Sequence, residues 1–372
     1  MQEGQQEVSL PVVDLSAPPE VVATALREAA QTIGFFYVTG HGIPEALFEE
    51  HFEQLRAFFC LPLEEKMKIH TSKTGGVRGY IGIYEQGNYG IDESDKRAKE
   101  LLEAASTEQK NGEQTDGEKV SDAETTDETA AVKGEDGLPM DLKEVFTMGT
   151  ELPEDNPHYK ASLFAKNIFP SKDKLKDFET VVLRYYESVW EVATMLFRYF
   201  AEGLGLPSDY FDSKITHPMN SMNCLHYPPY SGRDPQQLGI GAHTDYECFT
   251  LLAQGDVPGL EILLDGGRWT KVSIKKGAFV VNIGDMMARW SNGAFKSTVH
   301  RARNPSALHR YSCAYFCCCN YDVPLEALVD RENPKYKVVL AGDHLVGRIE
   351  RANVYTGEQG PPSTAVAESN EK

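Results

Sequence analysis

The residues with the most chemical potential lie in Gly241-Ala242-His243-Thr244-Asp245-Tyr246. His243 and Asp245 are two apart, and Phe249, Leu251 and Leu252 nearby read as a buried strand, so the spacing predicts both side chains on one strand face. A second imidazole, His300, follows about 55 residues later in Lys296-Ser297-Thr298-Val299-His300-Arg301, a stretch with strand character preceded by a Trp-Ser-Asn-Gly turn at Trp290 to Gly293. Two imidazoles and one carboxylate are the ligand set of a non-haem iron(II) centre with three coordination positions open. A His-x-Asp pair alone is weak evidence, because most such pairs are hydrogen-bonded surface or core contacts. The residues downstream strengthen it. Ten positions past His300, Arg310-Tyr311-Ser312 sets a guanidinium and a hydroxyl on one strand face, a combination that binds a carboxylate through a bidentate fork and a further hydrogen bond. A zinc hydrolase could use the same three ligands, but it would need a general base that is not evident and would leave Arg310 unexplained.

Several elements must position these residues. Pro11 to Leu15 reads as an edge strand, with its proline where no donor is required. Val21, Val22, Ala25, Leu26, Ala29, Ala30 and Ile33 recur at helical spacing from Glu20 to Ile33, and Gly34 ends the run. Phe35 to Val38 is a buried strand and Gly40-His41-Gly42 a turn, in which His41 is either a structural histidine or a base. A second helix from Pro44 to about Cys60 carries a core stripe of Leu47, Phe48, Phe52, Leu55, Phe58 and Phe59. Arg78-Gly79-Tyr80 lies in a Gly-rich loop and serves either substrate contact or loop structure. Asp173 to about Leu204 is the longest helical pattern, ended by Gly203-Leu204-Gly205 and Pro207. From Ser221 to Tyr321 short runs separated by Pro, Gly and Asp predict an antiparallel sandwich, with most helices before it. A final helix, about Leu340 to Arg351, precedes a polar tail.

The 372 residues allow one large catalytic domain with an N-terminal extension, or two intimately packed subdomains, and the formal charge of -19, from 37 basic and 56 acidic residues, disfavours nucleic acid as a partner. No stretch approaches 20 apolar residues, so no membrane partner is expected. Residues 1–7 are polar and acidic, unlike a signal or transit peptide, which leads to the expectation of a cytoplasmic protein. Glu103 to Gly137 holds 11 acids against 3 lysines. This composition predicts a disordered insertion, either a tolerated acidic loop or a regulatory one. Seven cysteines in no paired C-x-x-C pattern argue against a zinc ribbon or disulfide scaffold. Cys317-Cys318-Cys319 is a poor soft-metal site, since neighbouring strand positions face opposite ways.

The order His-x-Asp, His, Arg-x-Ser resembles the iron(II)- and 2-oxoglutarate-dependent dioxygenases. The branch is that of isopenicillin N synthase and the plant and fungal small-molecule enzymes, with thymine dioxygenase-like members close in pattern. His226-Tyr227-Pro228-Pro229, Gly259-Leu260-Glu261-Ile262, Val280-Val281-Asn282-Ile283-Gly284-Asp285, Arg289 to Gly293, Pro11 to Leu15 and Gly34 to Pro44 carry the likeness further. The resemblance implies an α+β fold: a double-stranded β-helix, or jelly roll, with an N-terminal helical and strand region and flanking helices. The expected divisions are 1–102 (N-terminal region), 103–137 (insertion), 138–220 (helical support), 221–325 (oxygenase core), 326–355 (C-terminal helical segment) and 356–372 (disordered tail).

It further implies Fe(II) on His243, Asp245 and His300, and 2-oxoglutarate as cosubstrate with its far carboxylate on Arg310 and Ser312. Tyr227 would help to hold the cosubstrate, and O2 would take the last metal position. Leu225 departs from the asparagine of many plant members, which leaves the polar lining there in doubt. The implied reaction is hydroxylation, desaturation or cyclisation of a small organic molecule, with release of succinate and CO2. Isopenicillin N synthase-type oxidases keep these residues without using 2-oxoglutarate, so that reading stays open, as does a non-catalytic jelly-roll binding protein. A monomer is expected.

Overall fold

The computed structural model describes residues 7–87, 90–91, 95–112, 140–230, 237–304 and 306–353. In chain order the first elements are β1 (Glu7–Val8), β2 (Val12–Asp14), α1 (Pro19–Thr32), β3 (Phe35–Thr39), α2 (Glu45–Phe59), α3 (Leu63–Met67) and β4 (Gly79–Ile81). Next come α4 (Lys96–Gly112), β5 (Glu144–Gly149), α5 (Ala161–Phe164), α6 (Phe178–Gly203), β6 (Ser221–Tyr227), β7 (Ile240–His243), β8 (Phe249–Gln254) and β9 (Leu260–Leu264). The chain continues through β10 (Arg268–Val272), β11 (Phe279–Ile283), α7 (Asp285–Trp290), β12 (His300–Ala302), β13 (Arg310–Cys317) and α8 (Ala341–Asn353).

The strands form two sheets, ordered β1-β10-β9-β12-β7 and β2-β3-β11-β8-β13-β6-β5-β4. Side-chain alternation gives the larger sheet two different faces. In β13, Cys313, Tyr315 and Cys317 join the main core with residues of α1, α2 and α6, while Ala314 and Phe316 pack in a separate cluster with Ala302 and Ile240 of the smaller sheet. The same division recurs in β8, where Phe249, Leu251 and Ala253 meet the helices and Leu252 faces inward. The helices therefore back the larger sheet, and the two sheets close on each other to leave polar inward positions for chemistry. This is the expected jelly roll, and β2 lies at the sheet edge as its proline-led sequence suggested. The seven cysteines are free thiols, and Cys317, Cys318 and Cys319 belong to the apolar core.

Three expectations need correction. Residues 103–112 are not disordered: they continue α4, whose Ala98 and Ala105 are buried against Leu263 and Val299, with Leu101 and Leu102 beside them. The stripe rests largely on alanine, which favours a helix and lets it approach the sheet closely, so a search for large apolar residues overlooked it. Residues 113–137 and the tail at 356–372 lie outside the described residues. The second correction concerns the long helix, which begins at Phe178 rather than Asp173. The third concerns residues 138–220, which supply β5 to the larger sheet as well as helices.

Candidate metal centre and cosubstrate anchor

β12 and β7 pair antiparallel with His300 opposite His243, which sets both imidazoles side by side, ring centroids 4.2 Å apart. Asp245 is not on that strand, contrary to the sequence expectation: β7 ends at His243, and the carboxylate is carried by the loop leading to β8. The loop nevertheless brings Asp245 Oδ1 to 3.5 Å from Nε2 of each histidine.

The orientation of all three groups is held from behind. Asp245 Oδ2 accepts hydrogen bonds from Thr250 Oγ1 (2.5 Å) and Asn282 Nδ2 (2.7 Å), leaving Oδ1 directed at the imidazoles. His243 Nδ1 lies 2.8 Å from the Gly241 carbonyl and His300 Nδ1 3.1 Å from that of Thr298. Carbonyls accept only, so each Nδ1 carries the proton and each Nε2 offers its lone pair to a cation. Burial raises the cost of charge on Asp245, but the imidazoles of His300 and His243 beside it outweigh that cost and hold the carboxyl well below its ordinary range. An anionic oxygen and two ring nitrogens converging at this separation fit a divalent cation.

Arg310 and Ser312 share the inner face of β13, and Tyr227 of β6 stands opposite Arg310 in register. The guanidinium lies over the Tyr227 ring at 4.5 Å and Nη1 is 3.5 Å from Ser312 Oγ. Arg310 is 1% exposed, its Nε has no partner, and among the described residues no carboxylate pairs with it. A buried cation left in this state fits an incoming carboxylate. Two glycines make room for the arrangement. A Cβ on Gly239 would meet the Tyr227 ring at 2.5 Å, and one on Gly259 would meet Arg310 Nε at 2.6 Å and collide with the Arg303 carbonyl.

All six predicted site residues line one cavity of about 250 Å³. Leu225 lines it too, opposite Ser312, so that wall is apolar. Sequence reasoning missed Thr250 and Asn282, although Asn282 was visible as one polar residue inside the apolar run Phe279–Ile283. It also missed the buried pair of Lys143 and Asp141 (2.6 Å), whose second carboxylate oxygen accepts from the Gly241 amide and so braces β7. Leu345 and Ile349 of α8 close the cavity from the C-terminal side. His41 is a turn residue: Nε2 contacts the Gly277 carbonyl at 3.0 Å, and it does not line the cavity.

A jelly roll in which two imidazoles and a carboxylate converge in one cavity with a buried arginine suggests a class, and comparison with known proteins agrees. Residues 218–319 match the 2OG-Fe(II) oxygenase superfamily, and residues 10–124 match the N-terminal region described as non-haem dioxygenase in morphine synthesis. Clavatol oxidase of Penicillium crustosum is 30% identical over 362 residues, covering 91% of this chain and 95% of the relative. A 2-oxoglutarate-dependent dioxygenase of Talaromyces stipitatus is 30% identical over 357 residues, 91% of this chain and 94% of that one. Among solved structures, a full-length Neurospora crassa protein in complex with alpha-KG superposes with a TM-score of 0.70 at 27% identity, covering 94% of this chain and 97% of that chain. The chain belongs to the 2OG-Fe(II) oxygenase superfamily. Its activity is that of an iron(II)- and 2-oxoglutarate-dependent dioxygenase, an oxidoreductase. No helix among the described residues is long and apolar enough to cross a membrane.

Proposed function

We propose that His243, Asp245 and His300 hold the iron, that Arg310 and Ser312 bind the far carboxylate of 2-oxoglutarate with Tyr227 beneath it, and that the rest of the cavity receives a small organic molecule. The observation that carries the assignment is the buried, acid-free Arg310 in the same cavity as the three converging metal ligands. When bound, iron(II), 2-oxoglutarate and dioxygen supply the oxidising equivalents for a substrate C–H bond, with succinate and CO2 as the other products. The protein contributes position and dryness. Arg310 and Ser312 orient the cosubstrate from one end, Thr250 and Asn282 keep Asp245 from rotating, and Leu225, Leu252 and Ala314 line the walls with apolar surface. With no further acid or base required beside the metal ligands, selectivity rests on which C–H bond the walls bring near the metal. A monomeric state in solution is part of the same reading.

Anaerobic addition of 2-oxoglutarate to the iron(II)-loaded protein tests it. A saturable visible charge-transfer band is expected in wild type, and its loss is expected in His243→Ala. An unchanged band in His243→Ala would remove the metal assignment, and a metal-replete wild type without any band would remove the cosubstrate anchor.

A further inference from the structure

The cavity contains a second buried arginine without an acidic partner. Four cationic side chains line it: Lys143 is paired with Asp141 and Arg301 with Glu261, whereas Arg310 and Arg78 have no carboxylate within ion-pair distance among the described residues. Arg310 is accounted for by 2-oxoglutarate. Arg78, 4% exposed, is not. Its Nη1 donates to the Val77 carbonyl (2.9 Å) and Nη2 to that of Leu163 (2.5 Å), while Nε is buried without a partner. Two carbonyls satisfy part of a five-donor group and none of its charge. The nearest acid acting on it, Glu151, is exposed at the surface, and burial pushes Arg78 down to about 10, still cationic at neutral pH.

The two arginines mark opposite ends of the cavity. Arg310 pairs in register with Tyr227, the last residue of β6, whereas Arg78 packs at the β6 start, where a Cβ on Gly149 would run into its guanidinium and the Asn220 carbonyl. The seven residues of β6 span roughly 20 Å. The metal ligands lie toward the Arg78 end: Thr250, which holds Asp245, stands opposite Phe316, and Phe316 stands opposite Ser221. The metal triad and Arg78 therefore share the end of the cavity away from Arg310, the triad on the β8 side of the larger sheet and Arg78 on its β5 side. Polar side chains of Thr147, Ser221 and Asn223 line the wall on the Arg78 side.

We propose that Arg78 is an anion subsite of the substrate chamber, so that the molecule oxidised carries a carboxylate or comparable anionic group, held beside the metal at the end of the cavity away from the 2-oxoglutarate anchor. The inference rests on the cosubstrate reading above, since it assigns the opposite end of the cavity to 2-oxoglutarate. It places the oxidised carbon between the metal triad and an acidic terminus and excludes purely neutral hydrocarbons as the preferred class.

Calorimetric titration of the iron(II) protein, saturated with 2-oxoglutarate under anaerobic conditions, tests the assignment with three matched probes: phenylacetate, cinnamate and octanoate, each against its carboxamide. Saturation blocks Arg310, so the acids report on the remaining site. Wild type is expected to bind at least one acid roughly tenfold to a hundredfold more tightly than its amide, the range of a charge-assisted pair in a buried site. That preference is expected to collapse toward unity in Arg78→Gln, with 2-oxoglutarate affinity unchanged. Equal binding of acids and amides, no acid binding in protein that still takes up 2-oxoglutarate, or a preference that survives in Arg78→Gln would each overturn the inference and leave Arg78 as a brace for Val77 and Leu163. Should Arg78→Gln fail to fold, Arg78→Lys, which keeps the charge but loses the fork, must show a reduced preference. Failure of wild type to bind 2-oxoglutarate at all would instead sink the cosubstrate reading.

Discussion

Replacing Arg310 by glutamine separates binding from stability more cleanly than any other single change at this site. The side chain is 1% exposed and among the described residues pairs with no acid, so the ligand-free protein carries the cost of a buried cation whose attraction is realised only on binding. Two charge-assisted hydrogen bonds from the fork, discounted for what glutamine can still donate, are worth about 3–5 kcal/mol. That corresponds to a loss of roughly two to three and a half powers of ten in 2-oxoglutarate affinity. The ligand-free variant is expected to be no less stable than wild type, because removing an uncompensated charge offsets the lost stacking on Tyr227. Anaerobic titration of the iron(II) protein measures the affinity, and thermal melts with and without ligand measure stability. A Kd within about threefold of wild type would refute the argument. So would a large fall in ligand-free stability, which would mean that Arg310 is a structural brace rather than a waiting anchor.

Other perturbations give equally definite outcomes. Asn282→Leu removes the 2.7 Å donor behind Asp245 at similar volume and should weaken metal binding by about 10–100-fold with the fold retained, as read by metal titration and circular dichroism. Gly259→Ala should lower 2-oxoglutarate affinity, because its methyl group would press on Arg310 Nε; an unchanged titration would show that the Arg303 backbone yields. Glu144 is buried among Lys66 Nζ (2.6 Å), Tyr80 Oη (2.6 Å) and His226 Nδ1 (2.7 Å), so Glu144→Gln should cost about 3–5 kcal/mol in denaturant unfolding. Burial opposes charge on Glu144, but His226, Lys66 and Tyr80 together hold its carboxyl below the ordinary value. Its stabilising contribution is therefore present above the ordinary carboxyl range and lost as pH falls through the folded value, and acid unfolding of wild type should steepen there relative to Glu144→Gln.

His243, Asp245 and His300 were legible as candidate metal ligands because each stands in a short motif whose residue types have few other uses together, and the fold brings them together. Arg-x-Ser was legible for the same reason, and β13 places both side chains inward as period-2 geometry requires. Helix positions followed from apolar spacing wherever the stripe was built of large residues, as in α1, α2 and α6. The alanine stripe of α4 shows the limit: Ala98 and Ala105 are apolar enough to bury, yet too small to stand out among the acids around them.

The sequence by itself determined which groups could meet a metal and a carboxylate, and the strands and helices whose apolar residues are large and regularly spaced, because those properties are local. Only the tertiary structure decided that Asp245 serves from a loop rather than a strand, since its position depends on Thr250 and Asn282 from two other strands. Only the tertiary structure, likewise, distinguished Arg78 from Arg301. Both are basic residues in strand-rich sequence, and what separates them is whether folding brings a distant carboxylate beside them, as it brings Glu261 to Arg301 across 40 positions.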